Sequence, residues 1–301
     1  MNLQKHIYNI IIKKSSDKIT LKDVEKSLKS DANIPKRILE DYLEESQYLF
    51  TLSSKTTTEK SYISKSKVFN KAEFKVTPTA IEIKKGILFS GHRFIPFYSQ
   101  DLFPTESFKI KTESGTMIAT KNISFKLEDL YTYYSMLGAE GIIDDLTADC
   151  EGNVEIIGNP SQKVNISVFD FSSFYGKFSF TAGMSLKFTV EDWIKGKFSV
   201  SIYKDTVTEE EKHKWHEALE EGLFKVFDEF GPSLEIPEQL SLGFYYSPSS
   251  VLKSPPCPID IFVKTNEKIQ VKFFENNTIL WHSEEQHISS EPANDMVSIS
   301  Q

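Results

Sequence analysis

The sequence predicts an α+β protein, and three observations carry that expectation. Apolar residues recur at helical spacing over the first forty or so positions, the period falls to two from Phe74 onward, and residues 208–230 carry the strongest helical pattern of the chain. The expected organisation is a helical front closed by a hairpin (1–66), a β-rich domain with a helical insertion, barrel or sandwich-like (67–205), a helix and hairpin packed on it (206–282), and a polar tail read as disordered (283–301). With 301 residues, 39% of them hydrophobic and 13% aromatic, the chain can bury more than one core.

In the front, Leu3, Ile7, Ile10 and Ile11 share one face of a first helix, which Ser15, Ser16 and Asp17 end. Thr20 and Asp23 form a variant capping box, because the hydroxyl can take a free amide while the acid complements the helix dipole. The apolar face that follows is Leu21, Val24 and Leu28. Pro35 suits a first helical position, and Ile38, Leu39, Tyr42 and Leu43 supply the buried stripe of a third helix. Tyr48, Leu49 and Phe50, a polar stretch over Thr51–Ser61, and then Tyr62 and Ile63 read as two short strands around a hairpin.

By order and spacing, the region from Ile7 to Ile63 resembles the winged-helix superfamily. The resemblance implies that the third helix enters a major groove while the wing lies along the phosphate backbone. Lys55, Lys60, Lys65, Lys67, Lys71 and Lys75 suit the wing's role. The third helix opens with Lys36 and Arg37 but continues through Glu40, Asp41, Glu44 and Glu45, which oppose phosphates. Nucleic-acid contact through Lys36, Arg37, Lys55, Lys60, Lys65 and Lys67 therefore stands beside protein docking.

In the middle, Phe74/Val76 and Ile81/Ile83 alternate with polar neighbours and read as strands interrupted by Pro78. Gly86 to Phe97 reads as an apolar strand leading into Gly91-His92-Arg93-Phe94-Ile95-Pro96-Phe97, the densest run of special residues in the chain. His92 and Arg93 are either a phosphate or carboxylate site or a buried turn in which Arg93 satisfies Asp101 or Glu106. Leu127, Leu130, Tyr134 and Leu137 predict a helix. The acids from Glu140 to Glu155 lack the spacing of a calcium loop and read as a solvated face. Strands resume at Val164–Phe169, at Phe178, Phe180, Leu186, Phe188 and Val190, and at Phe198–Tyr203.

In the back, Thr208 and Glu211 form a capping box ahead of the stripe Trp215, Leu219, Leu223, Val226, Phe227 and Phe230, and Gly231-Pro232 ends the helix. His213 and His216 stand at metal-ligand spacing without a third ligand, so no metal and no cofactor is expected. Residues 269–274 and 278–281 predict a hairpin turning at Asn276-Asn277.

Charge divides the chain. Through residue 126 there are 22 basic and 14 acidic residues, and beyond it 13 and 29. A polyanion fits the front and is repelled by the back. Arg37 and Arg93 are the two arginines, and Cys150 and Cys257 stand apart without zinc-ligand spacing. No phosphate loop, nucleophile elbow or zinc-protease motif occurs, which lowers the expectation of an enzyme and leaves no catalytic residue assigned. The expected function is a non-enzymatic nucleic-acid-binding protein, for example in transcription regulation. The alternatives are an adaptor whose basic front docks an acidic protein surface, or an enzyme with a site near His92 and Arg93. Expected partners are double-stranded DNA or another protein, with no membrane, and the expected location is cytoplasmic because Gln4, Lys5 and His6 interrupt any signal-peptide pattern.

Overall fold

The computed structural model describes residues 18–28, 35–46, 48–54, 57–102, 107–143, 163–275 and 277–284, the side chains of 27–28, 53–54 and 57–59 excepted. It has helices and open sheets in an α+β arrangement and divides into two compact units, Met1–Asn70 and Lys71–Gln301. Among the described residues no helix is long and apolar enough to cross a membrane. The expected helix at Leu3–Ile11, the acidic run from Asp144, Cys150 and the tail from 285 lie outside the described residues.

The first unit runs β1 (Ile19–Thr20), α1 (Leu21–Leu28), α2 (Lys36–Glu44), β2 (Leu49–Ser54), β3 (Thr57–Ser64) and α3 (Lys65–Phe69). The capping box forms as its chemistry predicts: the Asp23 amide donates to Thr20 Oγ1 at 3.3 Å, and the Thr20 amide donates to Asp23 Oδ2 at 3.1 Å. β2 and β3 pair as a hairpin with Phe50 opposite Ile63 and Thr51 opposite Tyr62, and β1 lies antiparallel on β3, giving the order β1-β3-β2. Ile19, Val24, Leu39, Leu43, Leu49 and Tyr62 form the core under this sheet. Pro35 occupies the N-cap of α2, one position before the expected first turn. The expected apolar stripe of α2 is too broad: Leu39 and Leu43 are buried, but Ile38 is 45% exposed. One residue is about 100° of helix, enough to rotate Ile38 off the core face.

The second unit is built on two open sheets. β4 (Glu73–Val76), β9 (Leu186–Asp192), β10 (Lys197–Ile202) and β6 (Lys109–Thr112) form the first in that spatial order, with β6 parallel to β10. β5 (Ile87–Leu88), β8 (Lys163–Asp170) and β7 (Thr120–Lys126) form the second, antiparallel throughout. Neither closes into a barrel. Phe94 joins them, with its ring centroid 4.9 Å from Phe188, 5.5 Å from Phe198 and 6.5 Å from Phe169.

Three expectations fail here for local reasons. Ile81 and Ile83 lie not on a strand but on α4 (Ala80–Lys85), which a Thr79/Glu82 capping box opens and Gly86 closes at φ +62°. Phe178 and Phe180 follow α6 (Ser172–Lys177) in a turn, and Phe178 is 41% exposed. The apolar strand expected from Gly86 shrinks to the two residues of β5, because the chain then enters a 3₁₀ turn at His92–Phe94. The helix expected at Leu127 forms as α5 (Leu127–Tyr134), with Leu127, Leu130, Tyr134 and Leu137 all buried.

The Thr208 box opens α7 (Glu209–Phe230), with the Thr208 amide donating to Glu211 Oε2 at 2.8 Å and the Glu211 amide to Thr208 Oγ1 at 3.2 Å. Trp215, Leu219, Leu223, Val226 and Phe227 are buried, each worth about 1.5 to 3 kcal/mol on full burial. α7 packs on α8 (Ile236–Tyr246), and at their crossing a Cβ on Gly222 would lie 2.4 Å from the Gly243 carbonyl oxygen, so no larger residue fits. α9 (Ile259–Thr265) then leads into the hairpin β11 (Ile269–Phe274) and β12 (Asn277–His282). Asn277, expected in the turn, already pairs with Phe274 as the first residue of β12, and Glu275 stands at φ +51°; Asn276 lies outside the described residues. The Gln239 side chain of α8 clamps Leu280: its Nε2 donates to the Leu280 carbonyl at 3.1 Å and its Oε1 accepts from the Leu280 amide at 2.7 Å.

Candidate functional site

The expected nucleic-acid residues fall into different environments in the first unit. Lys36 and Arg37 are exposed on the first turn of α2, beside the exposed Ile38. Lys60 crosses from β3 to α2, where its Nζ bonds Glu44 and lies 3.8 Å from Glu40. The Glu44 hydrogen bond raises the Lys60 pKa above its ordinary value despite slight burial. Burial pushes the Tyr62 phenol up to about 12, and the same two glutamates add to the effect. Lys65 is 4% exposed, with its ammonium 5.5 Å from the Phe50 ring centroid, so it does not lie on a surface that meets phosphate. Lys67 is exposed, and Lys55 lies outside the described residues. Lys71 and Lys75 belong to the second unit: Lys71 is exposed, whereas Lys75 packs over the Tyr203 ring at 4.1 Å and donates to the Pro256 carbonyl at 2.8 Å.

In the second unit, His92 and Arg93 are 2% and 4% exposed. Gly91 makes this possible, since at φ +54° a Cβ there would stand 2.2 Å from the Tyr133 carbonyl oxygen. The expected carboxylate partner of Arg93 is present, but it is Glu82 of α4 and not Asp101, while Glu106 lies outside the described residues. The pairing is a bidentate fork: Nη1 to Oε2 at 3.0 Å and Nη2 to Oε1 at 2.6 Å. Arg93 also donates to the carbonyls of Phe89 at 2.9 Å and Thr77 at 3.3 Å. Burial works against the charge, yet Glu82 more than compensates and holds the Arg93 pKa above its usual value. Glu82 accepts in addition from the amides of Thr79 at 2.7 Å and Phe89 at 2.9 Å, so one carboxylate closes a helix cap, a loop and an arginine.

His92 Nε2 lies 3.6 Å from Oδ2 of Asp260 on α9. Burial raises the Asp260 carboxyl, but the His92 imidazole together with the Arg93 and Lys264 cations outweighs that and keeps it below the ordinary carboxylate range. Among the described residues, His92 Nδ1, Arg93 Nε and Asp260 Oδ1 have no hydrogen-bond partner. The cluster is enclosed, and Glu82 occupies both terminal guanidinium nitrogens.

The remaining candidates are chemically quiet. Cys257 Sγ is 3.6 Å from His216 Nε2, but burial pushes the thiol up to about 12, which keeps it protonated at neutral pH. His213 pairs with Glu217 at 3.1 Å, and among the described residues no three His, Cys, Asp or Glu side chains converge on a metal position. A groove of about 390 Å³ opens beside α6, lined by Met117, Ile118, Phe174, Phe178 and Val200 with Lys177 and Asp170 among its polar residues. Asp170 is engaged there by Lys121 at 3.0 Å and the Ser172 hydroxyl at 2.6 Å.

Comparisons with protein-family models, curated proteins and solved structures found no match. The residues that organise both candidate sites were absent from the sequence expectations as partners: Glu82 and Asp260 in the interior, Glu40 and Glu44 opposite Lys60. Thr79-x-x-Glu82 was the one local signal available, identical in logic to the box read at Thr208.

Proposed function

We propose that the protein is a non-enzymatic binding protein whose front unit is a winged helix that docks another protein on the outer face of α2. The sheet order β1-β3-β2 around a helix pair and a hairpin supports the winged-helix assignment. The observation that carries the docking reading is Lys60, which spends its charge on Glu44 and Glu40. With Lys60 neutralised and Lys65 buried, the exposed Ile38 has Arg37 and Asp41 as neighbours on α2 and Glu45 at its C-cap. An apolar side chain ringed by both signs of charge suits a protein surface, where an aliphatic anchor is desolvated within a polar rim. Asp41 and Glu45 repel a phosphate backbone.

Duplex DNA is the second reading, favoured by the exposed Lys36 and Arg37 at the helix start that enters a groove. A photo-crosslinking residue at position 38, activated in cells, distinguishes the two. Docking predicts one discrete protein adduct that is lost when Arg37→Glu is added. Adducts to nucleic acid overturn docking, as does duplex binding with a salt slope near −2.7, the value for about three phosphate contacts at ~0.9 each.

A further inference from the structure

We propose that the outer face of the β7–β8 ribbon is a docking surface for the major groove of duplex DNA. β5 pairs only with Phe169 and Asp170 at one end of β8, so over residues 121–126 and 163–168 the second sheet is two strands wide. Strand alternation gives this ribbon two faces. Phe125, Val164 and Ile166 are buried on the inner one. The outer one carries three cross-strand rows: Asn122 opposite Ser167, Ser124 opposite Asn165, and Lys126 opposite Lys163. Five of these side chains are exposed and Ser167 is half-buried, and the three rows hold neither a carboxylate nor an apolar side chain. Two features separate the face from an ordinary solvated one. Lys126 and Lys163 stand directly opposite each other, which costs stability where opposite charges would add to it. Asn is depleted in strands, yet it occupies both other rows. Among the described residues the side chains of Asn122, Ser124, Lys163, Asn165 and Ser167 make no hydrogen bond or ion pair. Lys126 pairs with Glu128 on the first turn of α5 at 3.1 Å, with 49% and 41% of the two side chains exposed, and an exposed pair of this kind gains little and yields to a phosphate.

Ammonium, amide and hydroxyl groups on a two-stranded ribbon fit a polyanion whose surface offers both acceptors and donors. The DNA major groove is such a surface, and it is wide enough to admit two strands. Alternate residues along a strand lie ~6.8 Å apart, about two base-pair steps of ~3.4 Å, so successive rows stay in step with the bases. Asn122 and Asn165 match the donor and acceptor edge of adenine, Ser124 and Ser167 suit either base pair, and Lys126 and Lys163 at the end of the ribbon match the phosphates bordering the groove. Duplex RNA is the poorer match, because side chains cannot enter its narrow major groove. Long-range repulsion by the acidic surplus beyond residue 126 makes the expected affinity modest. The surface lies in the second unit and does not depend on the docking face of α2.

The test titrates the full chain against short fluorescein-labelled DNA duplexes, A·T-rich and G·C-rich, and against duplex RNA, by anisotropy at several salt concentrations. The expected result is saturable DNA binding with a salt slope near −1.8, from about two phosphate contacts at ~0.9 each, and about tenfold weaker binding of RNA. Lys163→Ala should halve that slope, Asn165→Ala should reduce the preference for the A·T-rich duplex about tenfold, and Arg37→Glu on α2 should change neither. Both ribbon substitutions are at exposed positions, so each variant should melt as the wild type does. The proposal is overturned if the chain binds no DNA at low salt, if RNA binds equally well, if Lys163→Ala binds as the wild type does, or if Arg37→Glu abolishes binding, which would place the contact in the front unit.

Discussion

The Lys60 and Arg93 ion pairs place the same chemistry in opposite surroundings. Lys60 and Glu44 keep 38% and 35% of their side-chain surface exposed, whereas Arg93 and Glu82 keep 5% and 0%. An exposed pair gains little because water screens the attraction and holding two long side chains costs entropy, so its worth lies between about 0 and 1 kcal/mol. A buried pair is not a large net gain over apolar packing, yet removing one partner strands the other charge out of water. The first pair shapes what the surface offers to others. The second is a constraint that the interior cannot lose.

The largest expected effect follows from breaking the buried pair. Arg93→Ala leaves Glu82 with its two amide donors but no counter-charge, a loss of about 3 to 5 kcal/mol. That corresponds to a fall in the calorimetric midpoint of the second unit on the order of 10 °C. A midpoint unchanged by the substitution would show that the pair constrains nothing and would return Arg93 to the list of ligand contacts.

A smaller effect is expected from Asp260, and its sign follows from its depressed pKa. A carboxyl lower in the folded than in the unfolded state contributes stability that is present above about pH 4, its unfolded value, and is lost as pH falls through the folded one. Urea midpoints of the wild type should therefore drop on acidification below about pH 4, and Asp260→Asn should flatten part of that drop. Parallel curves for the two proteins would remove the His92–Asp260 contact from the account.

The smallest effect belongs to the exposed pair. Lys60→Ala should alter stability by no more than ~1 kcal/mol in denaturant titrations. A loss as large as that of Arg93→Ala would erase the contrast between the two regions.

The contrast also explains what the sequence made legible. Elements closed by their own neighbours could be read: the Thr208/Glu211 box, the stripe from Trp215 to Phe227, the Thr20/Asp23 box and the hairpin after Ile269 all form. That Arg93 would be buried against a carboxylate followed from the cost of a lone interior guanidinium. Its partner did not, because Ile81 and Ile83 mimic strand alternation over a helix too short to show its own period. Asp260 and the Glu40 and Glu44 contacts to Lys60 join separate elements, and no local pattern encodes them. Ile38 was misplaced because periodicity gives the direction of a buried stripe better than its width.

The ring of donors around Glu82 has a consequence in chain statistics. Its partners lie 3, 7 and 11 residues along the chain, whereas the Lys187–Glu73 contact across the main sheet joins residues 114 apart. Loop-closure entropy grows with the logarithm of loop length, and between 11 and 114 residues the difference is roughly 2 kcal/mol. The buried ring around Glu82 is therefore closed against less chain entropy than the ion pair that joins β4 to β9.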